Sequence, residues 1–205
     1  HYPLRRQRQM CIRDRVLGAI LVSQGGWPIA LIGLISLYLA YGYTGGAFPL
    51  AYRGMGELFV VLFFGIIAVS GSVYLQTGHW RDEAVLLGFQ IGLLSAVLIS
   101  INNLRDREED AKSGKKTLAV RLGDTGGRVL IWMEIKVAAL SALLWLKFSL
   151  PWLALATLPL WTLGFFLLWK IVIGTKGKAL NRLLAIAALQ LLLFALCLHA
   201  AALWL

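Results

Sequence analysis

The stretch AVLLGFQIGLLSAVLISI, Ala84 to Ile101, is followed by Asn102 and by the polar run NLRDREED, Asn103 to Asp110. A helix that crosses the hydrocarbon core of a bilayer needs about 20 predominantly apolar residues. The quoted stretch comes close to that length. The whole chain has 59% hydrophobic and only 15% charged residues, whereas soluble domains carry about 25% charged residues. The sequence therefore predicts an all-α bundle of transmembrane helices.

Similar apolar stretches recur along the chain, each ended by Gly, Pro, Asn or charged residues. The six predicted spans are Pro28 to Tyr43, Glu57 to Leu75, Ala84 to Ile101, Arg128 to Leu146, Trp152 to Ile173 and Leu183 to Leu205, and Val16 to Ser23 is a shorter remnant. The segment His1 to Arg15 is rich in arginine but lacks the apolar core of a signal peptide. We interpret residues 1–15 as a non-native or disordered basic segment and residues 16–205 as one membrane domain.

The net charge of +10 comes from basic residues in short clusters between the apolar stretches. Basic residues of this kind do not form one continuous face, so no nucleic-acid partner is expected. Cytoplasmic loops of membrane proteins carry the excess of Lys and Arg. Alternate loops differ sharply in their content of Lys and Arg. One of the two alternating sets of loops contains only two such residues, Arg81 and Lys147. The pattern predicts an integral protein of a bacterial plasma membrane, with Asn102 to Asp110 on the cytoplasmic side.

The polar run after Ile101 contains residues suited to metal and phosphate binding. Asp106 and Asp110 are four residues apart, so on a continuing helix their carboxylates share one face about 6 Å apart. Mg²⁺ prefers such hard oxygen ligands and takes further ligands from substrate phosphates. Asn102 and Asn103 lie one turn earlier and could add ligands or hydrogen bonds. The surrounding cations, which match the oxygens of a diphosphate, are Arg105, Lys112, Lys115 and Lys116.

Two blocks of this sequence resemble one known family, the UbiA superfamily of intramembrane prenyltransferases. Asn102 to Asp110, followed by Gly114 to Gly123, resembles the second aspartate-rich motif of its 1,4-dihydroxy-2-naphthoate polyprenyltransferases (MenA type). A second block resembles the same subfamily: Tyr43 to Gly46, Tyr52 to Glu57, Phe63 to Gly65 and Gly71 to Gln76. The resemblance covers about Val16 to Leu205.

The resemblance implies transfer of a polyprenyl chain from its diphosphate to 1,4-dihydroxy-2-naphthoate, with decarboxylation to demethylmenaquinone. It implies Mg²⁺ as cofactor, Asp106 and Asp110 as metal ligands, and Arg105 as a catalytic cation. It also implies that Tyr43, Tyr52 and Arg53 hold the aromatic acceptor. The family has nine helices and two aspartate-rich motifs, of which this sequence has only the second. We therefore expect an N-terminally truncated chain, with the family's helices four to nine, that is inactive alone.

Other interpretations of these patterns remain open at the level of sequence. Loops between membrane helices are often rich in charged residues only because they face water, without any binding role. Within the family, the acceptor could be 4-hydroxybenzoate, homogentisate or haem. The protein could also be a transporter, although a transporter would place its ionisable groups near the bilayer midplane. It could be a noncatalytic scaffold, although a scaffold would not need the observed spacing of Asn, Asp and Lys residues.

Some residues within the predicted spans also carry expectations. Glu134 and Lys136 lie about two turns inside a span, where snorkelling or a local pair is expected. Close helix packing is expected at four glycines: Gly65, Gly71, Gly88 and Gly92.

Overall fold

The computed structural model describes residues 2–44 and 53–203, with the backbone alone for residues 2–14, 40–44 and 159. Within these ranges the chain is helical and contains no strand. Six helices are long and apolar enough to cross a membrane: Arg15–Leu39, Gly56–Thr77, Asp82–Arg105, Leu118–Leu146, Pro151–Val172 and Gly177–Ala202. The predicted all-α bundle with six spans is confirmed.

The helices follow one another through short connections. In chain order they are α1 (Tyr2–Thr44), α2 (Gly56–Phe59), α3 (Ala68–Thr77), α4 (Asp82–Arg105), α5 (Arg107–Lys112), α6 (Leu118–Ser141), α7 (Pro151–Leu155), α8 (Leu158–Val172) and α9 (Leu180–Ala202). A π-helical segment, Val60–Ile67, joins α2 to α3, so the three elements form a single span. Helix α6 ends in the 3₁₀ segment Ala142–Leu146, and a shorter one, Gly177–Ala179, precedes α9.

Two predicted boundaries were wrong, and both errors involve helix that is not purely apolar. The remnant Val16 to Ser23 and the first predicted span belong to the same element, α1, which is interrupted at the non-helical residue Gly26. Helix α6 begins at Leu118, ten residues before the predicted Arg128, and is interrupted at the non-helical residue Gly123. The Thr117 hydroxyl accepts a hydrogen bond from the Val120 amide and caps that helix. A test for apolarity misses this polar first part of α6.

Helix α4 is the centre of the bundle. Of its most apolar 18-residue stretch, 61% is buried, against 6% for the span Arg15–Leu39. The main apolar core brings α4 together with α6, α8 and α9 through Val97, Ile101, Leu104, Ile131, Ile135, Leu167, Leu168, Ile171, Leu180, Leu183 and Ala187. The polar run that follows α4 is therefore held at one end of the best packed helix.

The π-helical segment crosses α4 at a contact made by glycines. A Cβ on Gly88 would lie 2.7 Å from the Ile66 Cα, and one on Gly92 would lie 2.7 Å from the Val61 carbonyl oxygen. A Cβ on Gly65 would lie even closer to the backbone of Gly88 and Gly92. Small residues permit such close approach of membrane helices. The packing prediction is confirmed for three glycines and wrong for Gly71, because a Cβ there would meet nothing within 4 Å.

A second inter-helix contact joins the start of α6 to the end of α8. The Arg128 guanidinium donates hydrogen bonds to the carbonyl oxygens of Ile171, at 2.8 Å, and Thr175, at 3.0 Å. It also pairs with Asp124 at 2.7 Å. Carbonyl groups at the end of a helix lack partners within that helix, so the arginine caps α8 while holding α6 beside it.

Candidate functional site

The predicted carboxylates lie on a bent but nearly continuous helical path. Helix α4 ends at Arg105, Asp106 joins it to α5, and Asp110 lies within α5. The Asp106 amide donates to the Asn102 carbonyl at 3.0 Å, and the Asp110 amide donates to the Asp106 carbonyl at 2.9 Å. Helical hydrogen bonding therefore continues across the bend. It keeps Asp106 and Asp110 one turn apart, as their spacing predicted.

Arg105 is the hub of the hydrogen bonds around Asp106. Its guanidinium forms two hydrogen bonds with the Asp106 carboxylate, both 2.6 Å long. It also donates to the Asn102 and Asn181 side-chain oxygens at 2.7 Å each. The hydrogen bonds and charge of Arg105, with the charge of Lys115, hold the pKa of Asp106 below its ordinary value. Asp106 is therefore ionised at physiological pH, as a carboxylate that coordinates a metal cation is.

Asp110 is enclosed by the loop that follows it. Its residue is 7% exposed, and Lys115 donates to its carboxylate at 2.8 Å. The Lys115 backbone amide also donates a hydrogen bond to the Asp110 carbonyl oxygen at 3.0 Å. Lys112 and Lys116 are exposed on either side of this turn. Arg105 and Lys115 were expected to face a diphosphate. Each instead donates hydrogen bonds to one of the two aspartates, because that carboxylate is the nearest anion.

The two sequence blocks singled out above meet in space at this end of the bundle. The Asn103 amide nitrogen donates to a Glu57 carboxylate oxygen at 2.9 Å. Gly54 has φ +69°, and a Cβ there would lie 2.7 Å from the Lys116 carbonyl oxygen. A side chain at Gly54 is excluded both by that φ and by that approach. The segment from Arg53 to Glu57 is therefore packed against the Asn102 to Lys116 segment.

The predicted acceptor-binding residues are only partly described. Arg53 is exposed immediately before Gly54, beside the polar run. The Tyr52 residue and the Tyr43 side chain lie outside the described residues. Asn102 and Asn103 both lie at the predicted site, but their side chains contact Arg105 and Glu57.

Sequence reasoning missed the buried acids below this surface. Glu57 and Glu134 are 5% and 6% exposed, and the Ser100 hydroxyl donates to Glu134 at 2.8 Å. The expectation that Glu134 snorkels or pairs locally was wrong, because its partner lies on α4. Lys136 instead lies over the Trp132 ring at 5.0 Å. An ionisable residue inside a membrane span is a candidate functional residue. The position of Glu134 within a predicted span was therefore a signal that the sequence offered.

The residues present fit one part of a Mg²⁺ site. Asp106 and Asp110 offer two carboxylates on successive turns, and Mg²⁺ in phosphate-binding sites is held by one or two carboxylates with substrate phosphates. Among the described residues, no group of three or more His, Cys, Asp or Glu side chains is arranged to hold a metal ion by itself. The donor set of these residues matches a shared metal and phosphate site rather than a closed protein cage.

Comparison with known proteins places this arrangement in a family. Residues 15–196 match the UbiA prenyltransferase family. The chain belongs to that family. With its six spanning helices, this UbiA-family chain is an integral membrane protein, and the resemblance drawn from its motifs is confirmed.

Several similar relatives carry the name 1,4-dihydroxy-2-naphthoate octaprenyltransferase. The protein from Haemophilus influenzae is 42% identical over 69% of this UbiA-family chain and 44% of its own length. The protein from Bacillus subtilis is 37% identical over 60% of this chain and 40% of its own. The protein from Mycobacterium tuberculosis is 37% identical over 83% of this chain and 57% of its own.

The chain thus spans about half the length of the curated relatives that it matches. No solved structure gave a significant match.

Proposed function

We propose that this protein transfers a polyprenyl chain from a polyprenyl diphosphate to 1,4-dihydroxy-2-naphthoate, with decarboxylation to the hydroquinone form of demethylmenaquinone. The observation that carries the proposal is the contact between the Arg53 to Glu57 and Asn102 to Lys116 segments, through Glu57 and Asn103 at 2.9 Å. This contact supports the proposal, because the segment that begins at the exposed Arg53 packs against the segment that carries Asp106 and Asp110. The names of these relatives support naphthoate as the acceptor.

The charges on the two segments suit the two substrates. Asp106 and Asp110 would hold Mg²⁺, which when bound offsets negative charge on the diphosphate. Lys112 and Lys116 lie exposed around the carboxylates and would bind the phosphate oxygens. Arg53 would pair with the acceptor carboxylate, which a guanidinium binds with two parallel hydrogen bonds.

The proposed reaction balances without an external proton donor. The allylic carbon–oxygen bond breaks, and its electron pair leaves with the diphosphate. A π pair of the naphthoate ring forms the new carbon–carbon bond at the carbon that bears the carboxylate. That carboxylate leaves as CO₂, and its electron pair restores the aromatic ring. Arg105 is proposed to act by fixing Asp106, since its guanidinium is committed to Asp106, Asn102 and Asn181.

We further propose that the site faces the cytoplasm in a bacterial plasma membrane. The loops at this end carry most of the Lys and Arg of the chain, as cytoplasmic loops do. The sequence contains one aspartate-rich motif, so we propose that these 205 residues alone bind a prenyl diphosphate without turning it over.

The test is prenylation by the complete gene product in membranes. Membranes receive Mg²⁺, farnesyl diphosphate and 1,4-dihydroxy-2-naphthoate, and the prenylated naphthoquinone is measured by mass spectrometry. Product should form and should fall at least about a hundredfold in Asp106→Ala and Asp110→Ala, as expected when charge stabilisation is removed. Product from 4-hydroxybenzoate but not from the naphthoate would refute the proposed acceptor.

A further inference from the structure

Three buried polar side chains and one half-buried amide form a cluster close to the aspartate site. They are Glu57 on α2, Ser100 and Asn103 on α4, and Glu134 on α6. Asn103 donates to one oxygen of Glu57, and Ser100 donates to one oxygen of Glu134. Ser100 and Asn103 are three residues apart and so lie on one face of α4. We call these four residues the buried acid cluster.

Each acid of this cluster has one oxygen without a partner. The Oε2 atoms of Glu57 and Glu134 are both buried and accept no hydrogen bond. An unsatisfied buried polar atom is destabilising, and a charged one more so. A purely structural cluster would pair these oxygens, so the arrangement suits a ligand that brings hydrogen-bond donors.

We propose that the buried acid cluster binds the two hydroxyl groups of the aromatic acceptor, an inference that rests on the proposed function. Glu57 Oε2 accepts from the hydroxyl nearer the carboxylate, and Glu134 Oε2 accepts from the hydroxyl across the ring. A dihydroxyaromatic acid is the chemical class that fits, since it offers two donors and one anionic group.

The position of the cluster agrees with this assignment. Glu57 lies four residues after Arg53, which is exposed and would pair with the acceptor carboxylate. Glu57 and Glu134 contact side chains three residues apart on α4, so both acids meet the same face of that helix. The carboxylate therefore points to the basic surface and the hydroxyls point into the bundle.

Such contacts would also assist the reaction. A hydroxyl that donates to a carboxylate pushes electron density into the ring, and the attacking carbon lies beside one of these hydroxyls. No proton needs to leave the acceptor for this effect. The electron-rich ring and its orientation toward the diphosphate would both depend on Glu57 and Glu134.

The test compares two ligands on the complete gene product in nanodiscs under argon. Binding of 1,4-dihydroxy-2-naphthoate and of 2-naphthoate, which lacks both hydroxyls, is measured by titration. The wild-type protein should prefer the dihydroxy ligand by roughly a hundredfold, about tenfold for each hydroxyl group that a buried acid binds. Glu57→Gln and Glu134→Gln should each reduce that preference by about tenfold. 1-Hydroxy-2-naphthoate, with one hydroxyl, should bind the wild-type protein with intermediate affinity.

The matched control is Gln190→Leu, which removes another buried side chain with an unpartnered oxygen, on α9. It should keep the wild-type preference. An unchanged preference in both glutamate variants, or a wild-type protein that binds the ligands equally or binds neither, overturns the proposal.

The wild-type ligand series keeps the test decisive if a glutamate variant fails to fold. Binding of farnesyl diphosphate with Mg²⁺ is measured in parallel. Normal donor binding without a hydroxyl preference refutes this inference alone, whereas absent donor binding refutes the proposed function.

Discussion

Gly65→Ala should destabilise the bundle by preventing the close crossing of two helices. The added Cβ would overlap the carbonyl oxygen of Gly88 and the backbone of Gly92. Both obstacles are backbone atoms of α4, the most buried span, so neither can rotate away. Overpacking of this kind costs about 1–3 kcal/mol. Because Gly65 follows α2 in one span, the displacement should also lengthen the contact between Glu57 and Asn103.

Gly71→Ala is the matched control for this change. It lies six residues further along the same span, and a Cβ there would meet nothing within 4 Å. Alanine exceeds glycine in helix propensity by about 1 kcal/mol, so this variant should be as stable as the wild-type protein or slightly more stable. Unfolding of both variants in mixed micelles, followed by circular dichroism against the denaturing detergent fraction, gives the difference. A Gly65→Ala protein as stable as Gly71→Ala would refute the close crossing.

Two arginines give further predictions. Arg105→Met should cost about 1–2 kcal/mol, because the guanidinium donates to three residues but is partly exposed. Since Arg105 lowers the pKa of Asp106, this stabilisation is present above about pH 4 and is lost as the pH falls further. Acid titration of stability should therefore show a weaker dependence below about pH 4 in the variant, and an identical curve would contradict the pair. Arg128→Met should cost about 2–3 kcal/mol and increase hydrogen exchange at the end of α8, because two carbonyl oxygens there lose their donor. Unchanged exchange at Ile173 to Thr175 would contradict that cap.

The spans could be predicted because apolarity alone identifies helices in a bilayer. Their ends were less predictable. The first turns of α6 contain Arg121 and Asp124, so they read as loop, although the Thr117 cap starts a helix there. Gly71 shows the same limit, since a glycine in an apolar sequence does not reveal which face meets a neighbour.

The candidate site was predictable where it depends on local spacing. The separation of Asp106 and Asp110 by one helical turn follows from their spacing of four residues. The partners of Asn103 and Glu134 are residues 46 and 34 positions away in sequence, so only the packing of α2 and α6 against α4 reveals them. Arg105 was assigned to the diphosphate because its contact with Asn181, on another helix, has no signal in the local sequence.

The most direct test of the central claim is Mg²⁺-dependent binding of farnesyl diphosphate, measured by calorimetry in nanodiscs. Asp106→Asn combined with Asp110→Asn should weaken binding at least about tenfold in Mg²⁺ and have little effect in EDTA. The matched control is Glu108→Gln combined with Glu109→Gln, which removes two exposed charges from the same segment and should leave the Mg²⁺ dependence intact. Equal loss in both double variants, or an unchanged Mg²⁺ dependence in the aspartate variant, would contradict the assignment of these aspartates to a metal and diphosphate site.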